Sequence, residues 1–108
     1  MNKQAPLDAS LRLAPAQLSL VQDILADHLP QARVLAFGSR AGGTPRKYSD
    51  LDLAIIQLEP LTLRTISRLK IALGDSDLPI CVDVVDWNQA DSAFKTMAPK
   101  QGMVELQL

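Results

Sequence analysis

Asp50 and Asp52 are the residues of this chain best placed to do chemistry. They lie in Ser49-Asp50-Leu51-Asp52-Leu53-Ala54-Ile55-Ile56, a run rich in strand-forming aliphatics. Strand side chains alternate between faces, so the two carboxylates project together while Leu51, Leu53 and Ile55 face the other way. Two adjacent carboxylates repel unless a cation sits between them. A hard divalent cation such as Mg²⁺ takes oxygen ligands and can be shared with substrate phosphates. Upstream, Gly38-Ser39 comes after the strand-like run Ala32-Arg33-Val34-Leu35-Ala36-Phe37. A glycine there lets the backbone approach a ligand closely, and Ser39 offers a hydroxyl and an N–H to phosphate oxygens. A short helix starting after Ser39 would add its free N–H groups. The GxGxxG and GxxxxGK[ST] patterns are absent, which excludes Rossmann and P-loop readings.

The elements that must position these groups are set by periodicity and breakers. Leu18, Val21, Ile24, Leu25 and Leu29 recur at helical spacing between Ala14-Pro15 and Pro30. His28 ends that helix, where a surface or dipole contact is expected. Strands are expected over 32–37 and 50–57. Glu59-Pro60 breaks the chain, and Leu63, Ile66, Leu69 and Leu73 form the apolar stripe of a second helix ending near Gly74. Arg64, Arg68 and Lys70 are its solvated side. A third strand is expected over 80–85 and a last helix over 91–100. Beyond them lie Gly102 and the apolar tail Met103-Val104-Glu105-Leu106, which would add an edge strand or meet a partner. Phe94, Met97, Met103 and Leu108 extend that apolar end. The expected order is α-β-β-α-β-α: an α/β (α+β) fold with a small mixed sheet covered by helices. Residues 1–12 read as polar and frayed.

The third strand holds two further acids, Asp83 and Asp86. Asp83 lies between Val82 and Val84, where a charge needs a partner or a metal. Asp86 sits near the strand end, where it can be solvated or can cap the next turn.

The pattern of strand, Gly38-Ser39, ten residues at positions 40–49, then Asp50-Leu51-Asp52 resembles the DNA polymerase β-like nucleotidyltransferase superfamily. More narrowly, the chain resembles the minimal nucleotidyltransferase (MNT) family of prokaryotes, often encoded beside a partner of the HEPN type. The resemblance runs from about Leu18 to the C-terminus. It implies a polymerase β-like fold and assigns Asp83, the first Asp of Val82-Asp83-Val84-Val85-Asp86, as the third metal ligand. It also implies two Mg²⁺ ions on Asp50, Asp52 and Asp83, and ATP as donor of AMP. Gly38 and Ser39 would hold the phosphates, with Arg40, Arg46 and Lys47 adding charge. The acceptor it implies is a HEPN-type helical partner toxin, which would make the chain an antitoxin enzyme. Gly42 stands where relatives often carry a basic residue. The alternative is a non-catalytic antitoxin module that binds nucleotide or partner. A glycosyltransferase using Asp-x-Asp ranks lower, because such domains need about twice this length.

Composition sets the remaining bounds. With 108 residues the chain is expected to form a single domain over 1–108. A net charge of −1 gives no broad nucleic-acid footprint, so nucleic acid is not expected as a partner. The single cysteine, Cys81, permits no internal disulfide and is expected to be a buried thiol. The N-terminus shows no secretory h-region, and no apolar run reaches the ~20 residues a membrane helix needs. A cytoplasmic location is expected, with a stable hetero-complex and, where the partner is missing, self-association.

Overall fold

The computed structural model describes residues 11–42 and 50–108. Helix α1 spans Pro15–His28, β1 Arg33–Phe37, the one-turn helix α2 Ser39–Gly42 and β2 Leu51–Ile56. Helix α3 spans Leu63–Gly74, β3 Val82–Asp86, α4 Ser92–Gln101 and β4 Val104–Leu106, with a 3₁₀ turn at Trp87–Gln89 between β3 and α4.

The boundaries have local causes. Pro15 opens α1, where its missing N–H costs nothing. The Ala14 N–H donates to Gln17 Oε1 at 3.0 Å. The Thr62 hydroxyl accepts from Thr65 N–H at 3.1 Å and starts α3. The Asp91 carboxylate accepts from Phe94 N–H at 2.8 Å and starts α4. Gly102, at φ 106°, turns the chain out of α4 into β4.

The four strands form one mixed sheet in the order β3-β2-β1-β4. β1 runs antiparallel to both β2 and β4, and β2 runs parallel to β3, with α3 as the crossover between them. Val34 and Ala36 of β1, Leu51, Leu53 and Ile55 of β2 and Leu106 of β4 share one face. They meet Leu18, Val21 and Leu25 of α1 and Leu69 and Leu73 of α3 in a dry aliphatic core. Burying each such side chain is worth about 1.5–3 kcal/mol. The other face is covered only in part, by α4. There Phe94 meets Phe37 edge-on at 5.0 Å and Trp87 at 5.8 Å between ring centroids.

Of the two expected roles of the tail, the structure shows the edge strand: β4 pairs with β1 from Val104 to Leu106, and Leu106 is buried. Other expectations change. Phe94 is held in the aromatic cluster, so only Met97 and Leu108 of that apolar end remain exposed. Leu11 is fully buried, so the expected fraying stops short of residues 11 and 12, while 1–10 lie outside the described residues. Leu63 does not join the apolar stripe of α3. It sits about 100° round the helix from Leu69 and Leu73 and is exposed. Cys81 is exposed rather than buried, because it precedes β3 and is not covered by a helix. No helix among the described residues is long and apolar enough to cross a membrane.

Candidate active site

The register of β2 against β3 builds the site. Asp52 and Asp83 are direct partners in the parallel pairing, so their side chains leave the sheet on the same face. Asp50 lies two residues before Asp52, just ahead of β2, and is exposed. Phe37 pairs with Asp52 from the other side, which puts the carboxylates on the α4 face and away from the aliphatic core. Asp86 pairs with Ile55 and takes the opposite parity. Its carboxylate accepts from Asn88 N–H at 3.0 Å and caps the 3₁₀ turn. Of the two acidic residues of β3, Asp83 is therefore the one beside the pair.

Asp52 is half-buried, and its carboxyl is raised above the ordinary carboxylate value. Burial is the largest cause, followed by the charges of Asp83 and then Asp50. This is the electrostatic signature of a site that would gain from a cation. The three carboxylates share a face but are not gathered. Among the described residues no three acidic, imidazole or thiol side chains stand close enough to hold an ion. Asp50 and Asp83 are both exposed.

Gly38 shows why the turn after β1 must be glycine. It adopts φ +79°, a conformation that side chains rarely take. A Cβ there would collide with Oδ2 of Asp52 and lie 3.3 Å from its Cγ. The sequence suggests a glycine that admits a ligand; here the missing side chain first makes room for the carboxylate itself. Ser39 is exposed and begins α2, and the Ala41 N–H donates to the Gly38 carbonyl at 3.1 Å.

The basic residues separate. Arg40 is 2 % exposed, and its Nη1 donates to the carbonyls of Leu11 at 3.1 Å and Arg12 at 2.9 Å. Burial pulls its guanidinium below the usual arginine value, and its hydrogen bonds tie the segment before α1 to the turn after β1. Arg46 and Lys47 lie outside the described residues. The sequence reading missed the anchoring use of Arg40, and it missed Trp87 and Phe94 as a wall on the carboxylate face. The parity of Asp83 and Trp87, four positions apart, was the available signal for the second.

Comparison with known proteins agrees with this arrangement. The sequence profile "Polymerase beta, Nucleotidyltransferase" matches residues 20–104. A curated relative from Haemophilus influenzae, named "Probable protein adenylyltransferase MntA", is 45% identical over 92 residues, covering 85% of this chain and 81% of its own. A crystal structure described as a toxin–antitoxin with AMP-PNP superposes with a TM-score of 0.68 at 25% identity, over 83% of this chain and 72% of that one. A structure of a tri-AMPylated Shewanella oneidensis HEPN toxin in complex with MNT antitoxin gives a TM-score of 0.65 at 22% identity, over 85% and 70% of the two chains, and shares the fold. With strand register, turn and sequence all in agreement, the chain belongs to the polymerase β nucleotidyltransferase family and, within it, to the minimal, MntA-like nucleotidyltransferases.

Proposed function

We propose that this protein transfers AMP from ATP to a hydroxyl of a HEPN-type partner toxin, and so acts as an antitoxin enzyme. The observation that carries the reading is the pairing of Asp52 with Asp83, with Asp50 on the same side and Gly38 directly beneath. The 45% identical relative is named for protein adenylyltransfer, and the 25% identical structure is described with an ATP analogue.

The residues divide the work. Asp50 and Asp52 would hold two Mg²⁺ ions, with Asp83 completing the site on the acceptor side. When bound, these ions would supply charge neutralisation and a more acidic acceptor hydroxyl. The carboxylates fit that demand in part, since burial and then the charges of Asp83 and Asp50 raise Asp52, and positive charge would relieve the repulsion. Gly38 and Ser39 would bind the β- and γ-phosphates, the first by close backbone approach and the second through its hydroxyl and N–H. Arg46 and Lys47 are placed by sequence for the same charge, whereas Arg40 would first have to leave its carbonyl partners. The acceptor oxygen attacks the α-phosphorus in line, the bond from that phosphorus to the α,β-bridging oxygen breaks, and pyrophosphate leaves. The hydroxyl proton passes to solvent. Positioning and electrostatics supply most of the rate in such a transfer.

The test uses labelled ATP, Mg²⁺ and the partner protein. Label should move onto the partner with release of pyrophosphate. Asp50→Asn with Asp52→Asn should reduce transfer to background in a folded protein. Transfer by the double variant would rule out the metal site. Neutralisation by a wild type that never labels the partner would favour a module acting by binding alone.

A further inference from the structure

The outward side of α3 carries a second set of exposed groups that the proposed reaction does not use. Leu63 is 79% and Ile71 63% exposed, and Leu58, in the loop leading to the helix, is fully exposed. Arg64, Arg68 and Lys70 are exposed as well. At about 100° per residue, these helix positions fall on one arc. Leu63 and Ile71 stand either side of the exposed Ser67, with Lys70 flanking Leu63 and Arg64 and Arg68 flanking Ile71.

The charge on this helix is one-sided. Its sequence, Leu-Arg-Thr-Ile-Ser-Arg-Leu-Lys-Ile-Ala-Leu-Gly, has three cations and no acid, although the chain holds 12 acidic residues against 11 basic. Arg64 and Arg68 stand four apart, where like charges repel on a helix surface. The nearest acids in sequence, Glu59 and Asp75, lie beyond its two ends. Among the described residues the one side-chain ion pair joins Arg33 to Glu105, so none of the three cations pairs with a described acid. An aliphatic strip bordered by cations matches an acidic amphipathic helix: leucines for the strip and carboxylates for both borders. A phosphate backbone would satisfy the cations but leave Leu58, Leu63 and Ile71 in water, which favours a protein.

The location is also telling. Leu69 and Leu73 fix α3 on the aliphatic face of the sheet, whereas Asp52 and Asp83 leave by the other face. A body docked on α3 therefore leaves the carboxylates open. We infer that the outer face of α3, from Leu63 to Ile71, is a docking surface for a protein partner that presents an acidic amphipathic helix. That surface would bind its partner whatever reaction the carboxylates perform.

The test is fluorescence anisotropy with a labelled helical peptide carrying a leucine ridge bordered on both sides by glutamates. A second peptide replaces each glutamate by lysine. Wild type should bind the glutamate peptide at least tenfold more tightly than the lysine peptide. R64E/R68E should reverse that preference, and L63S/I71S should weaken binding at least fivefold. Unfolding midpoints check that each variant is folded; if the double reversal is not, R68Q should give an intermediate loss. The inference is overturned if wild type does not discriminate between the peptides, or if the folded charge variants keep wild-type preference. Tighter binding of oligouridylate or of phosphatidylserine vesicles than of the glutamate peptide would also overturn it, in favour of a phosphate-reading surface.

Discussion

The two faces of the sheet are built from alternate residues of the same strands, yet they obey opposite rules. On one face Leu51, Leu53 and Ile55 are fully buried against α1 and α3. On the other, Asp50, Asp52 and Asp83 put like charges on one side under partial cover from α4. Asp52 sits between two buried leucines, so the backbone that holds a carboxylate in an unfavourable place is fixed by side chains pointing the other way. The aliphatic face supplies the stability against which the charged face is strained.

Substitutions that act on one face alone should separate these roles. The largest loss of stability is expected from Leu53→Ala, which opens a cavity in the core and should cost about 2–5 kcal/mol. Activity should then fall only as far as the folded fraction falls, measured by denaturant unfolding beside transfer assays. A drop in activity of the fully folded fraction would break the division between faces.

Gly38→Ala joins the two effects. The left-handed backbone should cost about 1–2 kcal/mol, and the new methyl must displace the Asp52 carboxylate. Transfer should fall by more than the stability loss explains. Equal stability and activity in the variant would show that Asp52 has room to move.

The smallest effect, and the sharpest in sign, is expected from Asp52→Asn without metal. The carboxyl of Asp52 is raised in the folded state, so the folded protein holds its proton where the unfolded chain has lost it. Stability therefore falls as pH rises from the ordinary carboxylate value through the raised one, and above that window the penalty stays. Removing the charge should raise the unfolding midpoint at neutral pH and flatten its slope across that window. A lower midpoint at neutral pH would mean that the ionised carboxylate is stabilised by contacts other than a cation.

Most of the architecture was legible because the signals were local. Leucine spacing gave α1 and most of α3, and β-rich runs gave three strands within a residue or two. The face of Asp83 followed from alternation, once β3 was placed beside β2. What failed was set by covering elements that periodicity does not describe. Cys81 sits on an uncovered approach to β3, and Leu63 lies just past the edge of the buried arc. Leu11 is buried although its neighbours are polar, because Arg40 ties its carbonyl down from a distant turn. The tail reads equally well as strand or interface until β1 is seen to have a free edge.

The parallel pairing of β2 with β3 also sets a timetable. Asp50 and Asp52 leave the ribosome well before Asp83, with the whole of α3 between them. A slip of one residue in that pairing would turn Asp83 to the wrong face and Val84 to the right one. Asp83 therefore stands beside Asp52 only once the crossover through α3 has closed in register. A nascent or misregistered chain holds Asp50 and Asp52 without Asp83 beside them.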